Sequence, residues 1–128
     1  MILKWYPSYL ENDPDSDVRS FIRKDLAKYR ELQVLVESFL GRVMEVSDLQ
    51  PFFDSKQIAP LGADLFEMRI PKTRRGGVVR IYFCRHPGNK RELILLDAEL
   101  KHEKAPARTA TATSKKECFM KSFGGLEK

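Results

Sequence analysis

The chain has 128 residues, 42% hydrophobic and 32% charged, with a formal net charge of +5, which fits one domain around one modest core. No apolar run approaches the roughly 18–20 residues that span a bilayer, and the start Met1-Ile2-Leu3-Lys4-Trp5-Tyr6-Pro7 lacks the segments of a secretory signal. Cys84 and Cys118 make neither a disulfide framework nor a metal-ligand spacing, and read as reduced thiols of a cytoplasmic protein.

Residues 2–6 are apolar and aromatic enough for a short strand that Pro7 limits. Asn12 to Asp17 is turn chemistry, with Asp15 or Ser16 able to cap a following helix. Val18, Phe21, Ile22, Leu26, Tyr29, Leu32, Val36, Phe39 and Val43 then recur at spacings of three and four, one apolar stripe on a helical face. A single helix over 16–43 is long for so small a domain. The expectation is a helix hairpin broken near residues 24–30, with Gly41 as a plausible stop.

Residues 44–63 read as a packed connection. Three strands are predicted next, over 64–71, 77–85 and 91–99. The second, Val78 to Cys84, is the strongest strand signal in the chain, and the third is apolar on both faces. The basic turn Thr73 to Gly77 and the turn His86 to Asn89 are short, so an antiparallel meander is the simplest arrangement. Residues 105–113 read as a low-complexity linker. Ser114 is placed to cap a short helix that Gly124-Gly125 ends. The expected architecture is α+β, a single domain over 1–128, with a helix hairpin packed on about four antiparallel strands, and 105–128 as a loosely attached tail.

The charge is unevenly spread. Residues 1–59 hold 8 Lys/Arg against 10 Asp/Glu, and residues 60–128 hold 15 against 8. An asymmetry of this kind points toward a polyanionic partner or simply toward a solvated basic face. Phosphate-binding, zinc-hydrolase and nucleophile-elbow motifs are absent. Residues 69–108 instead hold eleven cations against four acids. Arg80 interrupts a strand of Val, Ile, Tyr and Phe, so it either packs its aliphatic stem or holds an anion from a rigid element. Tyr82 shares its face, a pairing that suits a phosphate and a stacked base. Lys101-His102-Glu103-Lys104 follows the third strand, as a closing edge of the same cleft or as a charged strand end.

Three segments carry a resemblance: Leu61-Gly62-Ala63-Asp64-Leu65-Phe66-Glu67-Met68-Arg69, Val79-Arg80-Ile81-Tyr82-Phe83, and Leu95 through Pro106. In order and spacing they resemble the RelE/HigB-like toxins, which are encoded beside antitoxins and in phages. The resemblance covers roughly residues 15–108, and His102 stands where the family often has a second lysine. It implies a RelE-like fold and a toxin that inhibits translation by cleaving mRNA in the ribosomal A site, without a metal or other cofactor. Arg80 and Arg69 would clamp the phosphate, and Lys101, His102 or Lys104 would move protons. Lys72, Arg74, Arg75, Tyr82 and Arg85 would bind RNA. The implied partners are mRNA, the ribosome and a cognate antitoxin, a small helix-turn-helix protein, with no membrane involved. The same fold also suits a non-catalytic RNA- or ribosome-binding module, or a phage-encoded protein-interaction domain.

Overall fold

The computed structural model describes residues 1–9, 13–70, 78–101 and 108–122. Along the chain run β1 (Ile2–Trp5), α1 (Asp17–Ser20) continued by a π-helical turn (Phe21–Asp25), α2 (Arg30–Glu45), α3 (Gln50–Asp54), β2 (Ile58–Gly62), β3 (Leu65–Ile70), β4 (Val78–His86), β5 (Asn89–Lys101) and α4 (Thr109–Ser122). The five strands form one mixed sheet in the order β1-β5-β4-β3-β2. It is an α+β fold. The expected antiparallel meander is present as β3-β4-β5, and β1 joins it parallel to β5. The sheet therefore has five strands rather than four.

The helix hairpin forms as the periodicity requires. Ser16 caps α1, its hydroxyl accepting from the Arg19 amide at 3.2 Å. The helical path breaks over residues 26–29, between the π turn and α2. The Gln33 side chain donates to the Ile22 carbonyl at 2.9 Å, and Arg19 pairs with Glu37, tying the two arms together. Every residue of the stripe is buried, Tyr29 only partly. Gly41 does not stop α2, which runs on to Glu45, because no contact or dihedral there requires a glycine. The hairpin and α3 cover one face of the sheet, against Met68, Ile70, Val79, Ile81, Phe83, Leu93 and Leu95.

The connection over 44–63 is more ordered than the sequence suggested. Pro51 lies in the first turn of α3, where its missing N–H costs nothing. Pro60 sits in β2, which is tolerated because β2 is an edge strand. A tight turn with positive φ at Gly62, Ala63 and Asp64 joins β2 to β3.

The other sheet face is covered by α4. Residues 109–113, expected to be linker, are its first turns, and Ser114 lies inside it rather than capping it. The β-branched Thr-Ala-Thr-Ala-Thr run has poor intrinsic helix propensity. Tertiary docking supplies what propensity does not: Ala112 and Phe119 are buried against Leu65, Tyr82, Cys84, Ile94 and Leu96. Residues 109–122 are therefore a docked layer of the fold, not a loose tail. The turn Thr73 to Gly77 and the Gly124-Gly125 stop lie outside the described residues.

Candidate nucleic-acid interface

Alternation along β3, β4 and β5 puts a polar block on the α4-facing side of the sheet. Arg69, Arg80 and Glu99 are direct cross-strand neighbours in one row, and Glu67, Tyr82 and Asp97 in the next. A register shift in the β4–β5 pairing between Tyr82 and Phe83 leaves Leu96 unpaired. Asp97 and Glu99 thereby share this face with Ile94 and Leu96.

Arg69 opposite Arg80 is a pairing that strands ordinarily avoid, since like charges directly across a ladder repel. Glu67 offsets it. Its carboxylate is 2% exposed; Oε1 accepts from Arg69 Nε at 2.6 Å, and Oε2 lies 3.8 Å from Arg80 Nε. The first contact is a charge-assisted hydrogen bond, and the second is an ion pair beyond hydrogen-bonding distance. Arg80 Nε is buried without a hydrogen-bond partner. The side chains of both arginines reach solvent, Arg69 more than Arg80.

Tyr82 is buried at the centre of the block, so its ring offers no face to a stacked base. Its hydroxyl donates to Glu99 Oε2 at 2.6 Å, and the Arg108 amide donates to the same oxygen at 2.7 Å. Burial, together with the adjacent Glu99 carboxylate, pushes the phenol up to about 12. Next to it, Arg108 Nε donates to Asp97 Oδ2 at 2.6 Å, and Lys115 Nζ lies 2.9 Å from both Asp97 Oδ1 and Asp17 Oδ2. Hydrogen bonding to Asp97 raises the Arg108 pKa. For Lys115, burial pulls the pKa down, but hydrogen bonds to Asp17 and Asp97 outweigh it and leave the pKa raised.

Arg85 is on the other face. Its guanidinium lies 5.1 Å from the Phe66 ring centroid and 6.0 Å from that of Phe53 in α3, so it does not join Arg80. Lys101 ends β5 two residues past Glu99, paired with Val78. Lys72, Arg74, Arg75, His102 and Lys104 lie outside the described residues. Arg69, Arg80 and Lys101 thus share one face; Tyr82 shares it too, as expected, but is buried rather than open to a base, and Arg85 lies on the other face. Alternation puts Glu67 on the face of Arg69, and Asp97 and Glu99 stand among basic residues in the sequence; that all three carboxylates are buried in the block is not legible from spacing.

A groove of about 480 Å³ opens beside the block, lined by Asp17, Asp25, Asp97, Glu99, Arg108 and Lys115 among others. Among the described residues, no group of three or more His, Cys, Asp or Glu is placed to hold a metal ion, and no helix is long and apolar enough to cross a membrane. No family model, curated protein or solved structure matches this chain. Its functional reading therefore rests on residues and geometry.

Proposed function

We propose that this chain is an RNA-directed toxin of the RelE/HigB kind, a metal-independent endoribonuclease that inhibits translation by cleaving mRNA in the ribosomal A site. The observation that carries the reading is the Arg69–Arg80 pair. Two cations are held opposite each other on adjacent strands, against the electrostatic preference of the ladder, and both reach solvent. Such a pair has a stabilising use when an external anion bridges it, and a phosphodiester is an anion of the right size. The helix hairpin and three-stranded meander are elements that the sequence resemblance implies, and they support the reading.

The chemistry needs no resident cofactor. The 2′-hydroxyl attacks the adjacent phosphorus, the bond to the 5′-oxygen breaks, and the products are a 2′,3′-cyclic phosphate and a free 5′-hydroxyl. Arg80 and Arg69 stabilise charge on the non-bridging oxygens, from strands that do not reorganise during the reaction. Lys101, or His102 or Lys104 just beyond it, takes the proton from the attacking hydroxyl and returns one to the leaving oxygen. Tyr82 supports the block from within instead of stacking on a base. The wider basic surface grips ribosomal RNA, an attachment that weakens steeply with salt.

The second reading is an RNA- or ribosome-binding module of the same fold. It is favoured by Glu67, whose carboxylate pairs with both proposed phosphate clamps, Arg69 and Arg80. Expression in bacteria, with growth recorded and mRNA 5′ ends mapped, separates the two. New 5′-hydroxyl ends within translated codons support cleavage. Arrested growth with intact mRNA supports binding alone.

A further inference from the structure

We infer that Glu67 is the positioning residue of the arginine pair: it bonds Arg69 and holds Arg80 by attraction alone, leaving the Arg80 guanidinium to make its bond to the phosphate. The inference rests on the RNA-cleavage reading for its chemistry and on the geometry of one buried carboxylate for its content.

The two contacts of Glu67 are unequal. Oε1 is 2.6 Å from Arg69 Nε, a distance at which a charge-assisted hydrogen bond locks the guanidinium plane. Oε2 is 3.8 Å from Arg80 Nε, close enough to attract and too far to bond. Arg80 Nε is buried and makes no hydrogen bond, as is true of Arg19 Nε and Arg85 Nε; at Arg80 the Glu67 carboxylate 3.8 Å away supplies the compensating charge. Tyr82, two residues on in β4, shares the face of Arg80. Tyr82 itself is already committed to Glu99. Arg80 is thus surrounded by groups that orient it and bonded through Nε to none of them, whereas Arg69 is immobilised.

A counter-ion placed only to cancel repulsion would sit evenly between the two cations. This one is uneven, and it is nearly inaccessible to water, so it does not compete openly with a phosphate for the outward Nη groups. One fixed guanidinium sets the register of the phosphate on the sheet. The second, oriented but not bonded through Nε, makes its contact where charge gathers on the phosphoryl oxygens, where a transition-state contact counts and a ground-state contact does not.

The experiment has two arms, both on the full chain. In the first, Glu67→Gln keeps an oxygen for Arg69 and removes the negative charge. Cleavage of ribosome-bound mRNA should slow by about 10–100-fold at saturation, as expected for a misplaced catalytic group, while half-saturation stays the same or tightens because the site gains positive charge. Unchanged turnover overturns the proposal, and so does a variant that merely weakens binding. In the second arm, inorganic phosphate is titrated into the unaltered chain while the arginine Nε–H resonances are followed by NMR. The Arg80 resonance should shift saturably and the Arg69 resonance should stay at its carboxylate-bonded position. Equal shifts, or a shift of Arg69 alone, overturn the proposal even if the Gln variant does not fold. Loss of the RNA-cleavage reading would show instead as unaltered protein that cleaves nothing, with the phosphate arm still deciding the role of Glu67.

Discussion

Arg80 and Arg85 lie five residues apart on one strand, and the structure assigns them opposite faces. Removing a preorganised transition-state donor typically costs about 3–4 kcal/mol, or roughly 100–1,000-fold in rate. Arg80→Ala should lose activity on that scale. Arg85→Ala, whose cation rests on Phe66 and Phe53, should leave cleavage rates almost unchanged, as measured by single-turnover cleavage of each folded variant. Tyr82 carries a different kind of consequence. Its phenol is pushed up to about 12 from an ordinary 10.0, so folding favours the protonated form. The stability this contributes is fully present below pH 10 and is lost as pH rises from 10 through about 12. Denaturant melts across that range should show a decline in the unaltered chain that Tyr82→Phe reduces, though Cys84, also raised to about 12, leaves a remainder. The face of Arg80 and Tyr82 was legible in the sequence, because alternation along a strand fixes it. What covers that face was not, since period-two spacing says nothing about which element packs on top.

At the level of elements, the helix hairpin and meander were legible for the same physical reason. Their apolar residues recur at 3.6 or at 2, and the core satisfies that period. The edge strand β2 was hidden because Pro60 and Gly62 weaken any strand signal, and an edge position tolerates both. The first turns of α4 were hidden because its sheet-facing positions, spaced at the helical period, are mostly not large and apolar: Arg108 and Lys115 bond Asp97, and Ala112 and Phe119 are buried. Phe119→Ala should therefore cost about 3–5 kcal/mol of stability, as large-to-small changes at fully buried aromatics do. Val34→Ala, on the exposed side of α2, should cost within about 0.5 kcal/mol, the usual range for a surface substitution. Equilibrium urea unfolding of the two variants measures the contrast. Equal effects would mean that α4 is not a stabilising layer of the fold.

Taken as a whole, the molecule concentrates its excess cations in residues 60–128, and the described part of that half supplies β3, β4, β5 and the α4 packed on them. Under the proposed reading the chain must be silenced, and a cationic rim is most directly silenced by an acidic or helical segment laid over it. Co-expression with the adjacent gene product should restore growth and protect Arg69, Arg80 and Lys101 from solvent in hydrogen exchange and footprinting. Their full exposure in a neutralised complex would rule out steric masking. Cleavage should survive EDTA when ribosome integrity is held by separately controlled magnesium, because the proposed steps run through Arg80, Arg69 and the lysines near residue 101. The most direct test is transcriptome-wide mapping of 5′-hydroxyl ends after induction of the unaltered chain and of folded Arg80→Ala. The account predicts new ends inside translated codons for the first and their loss for the second. Identical ends in both, or none in either, would contradict it.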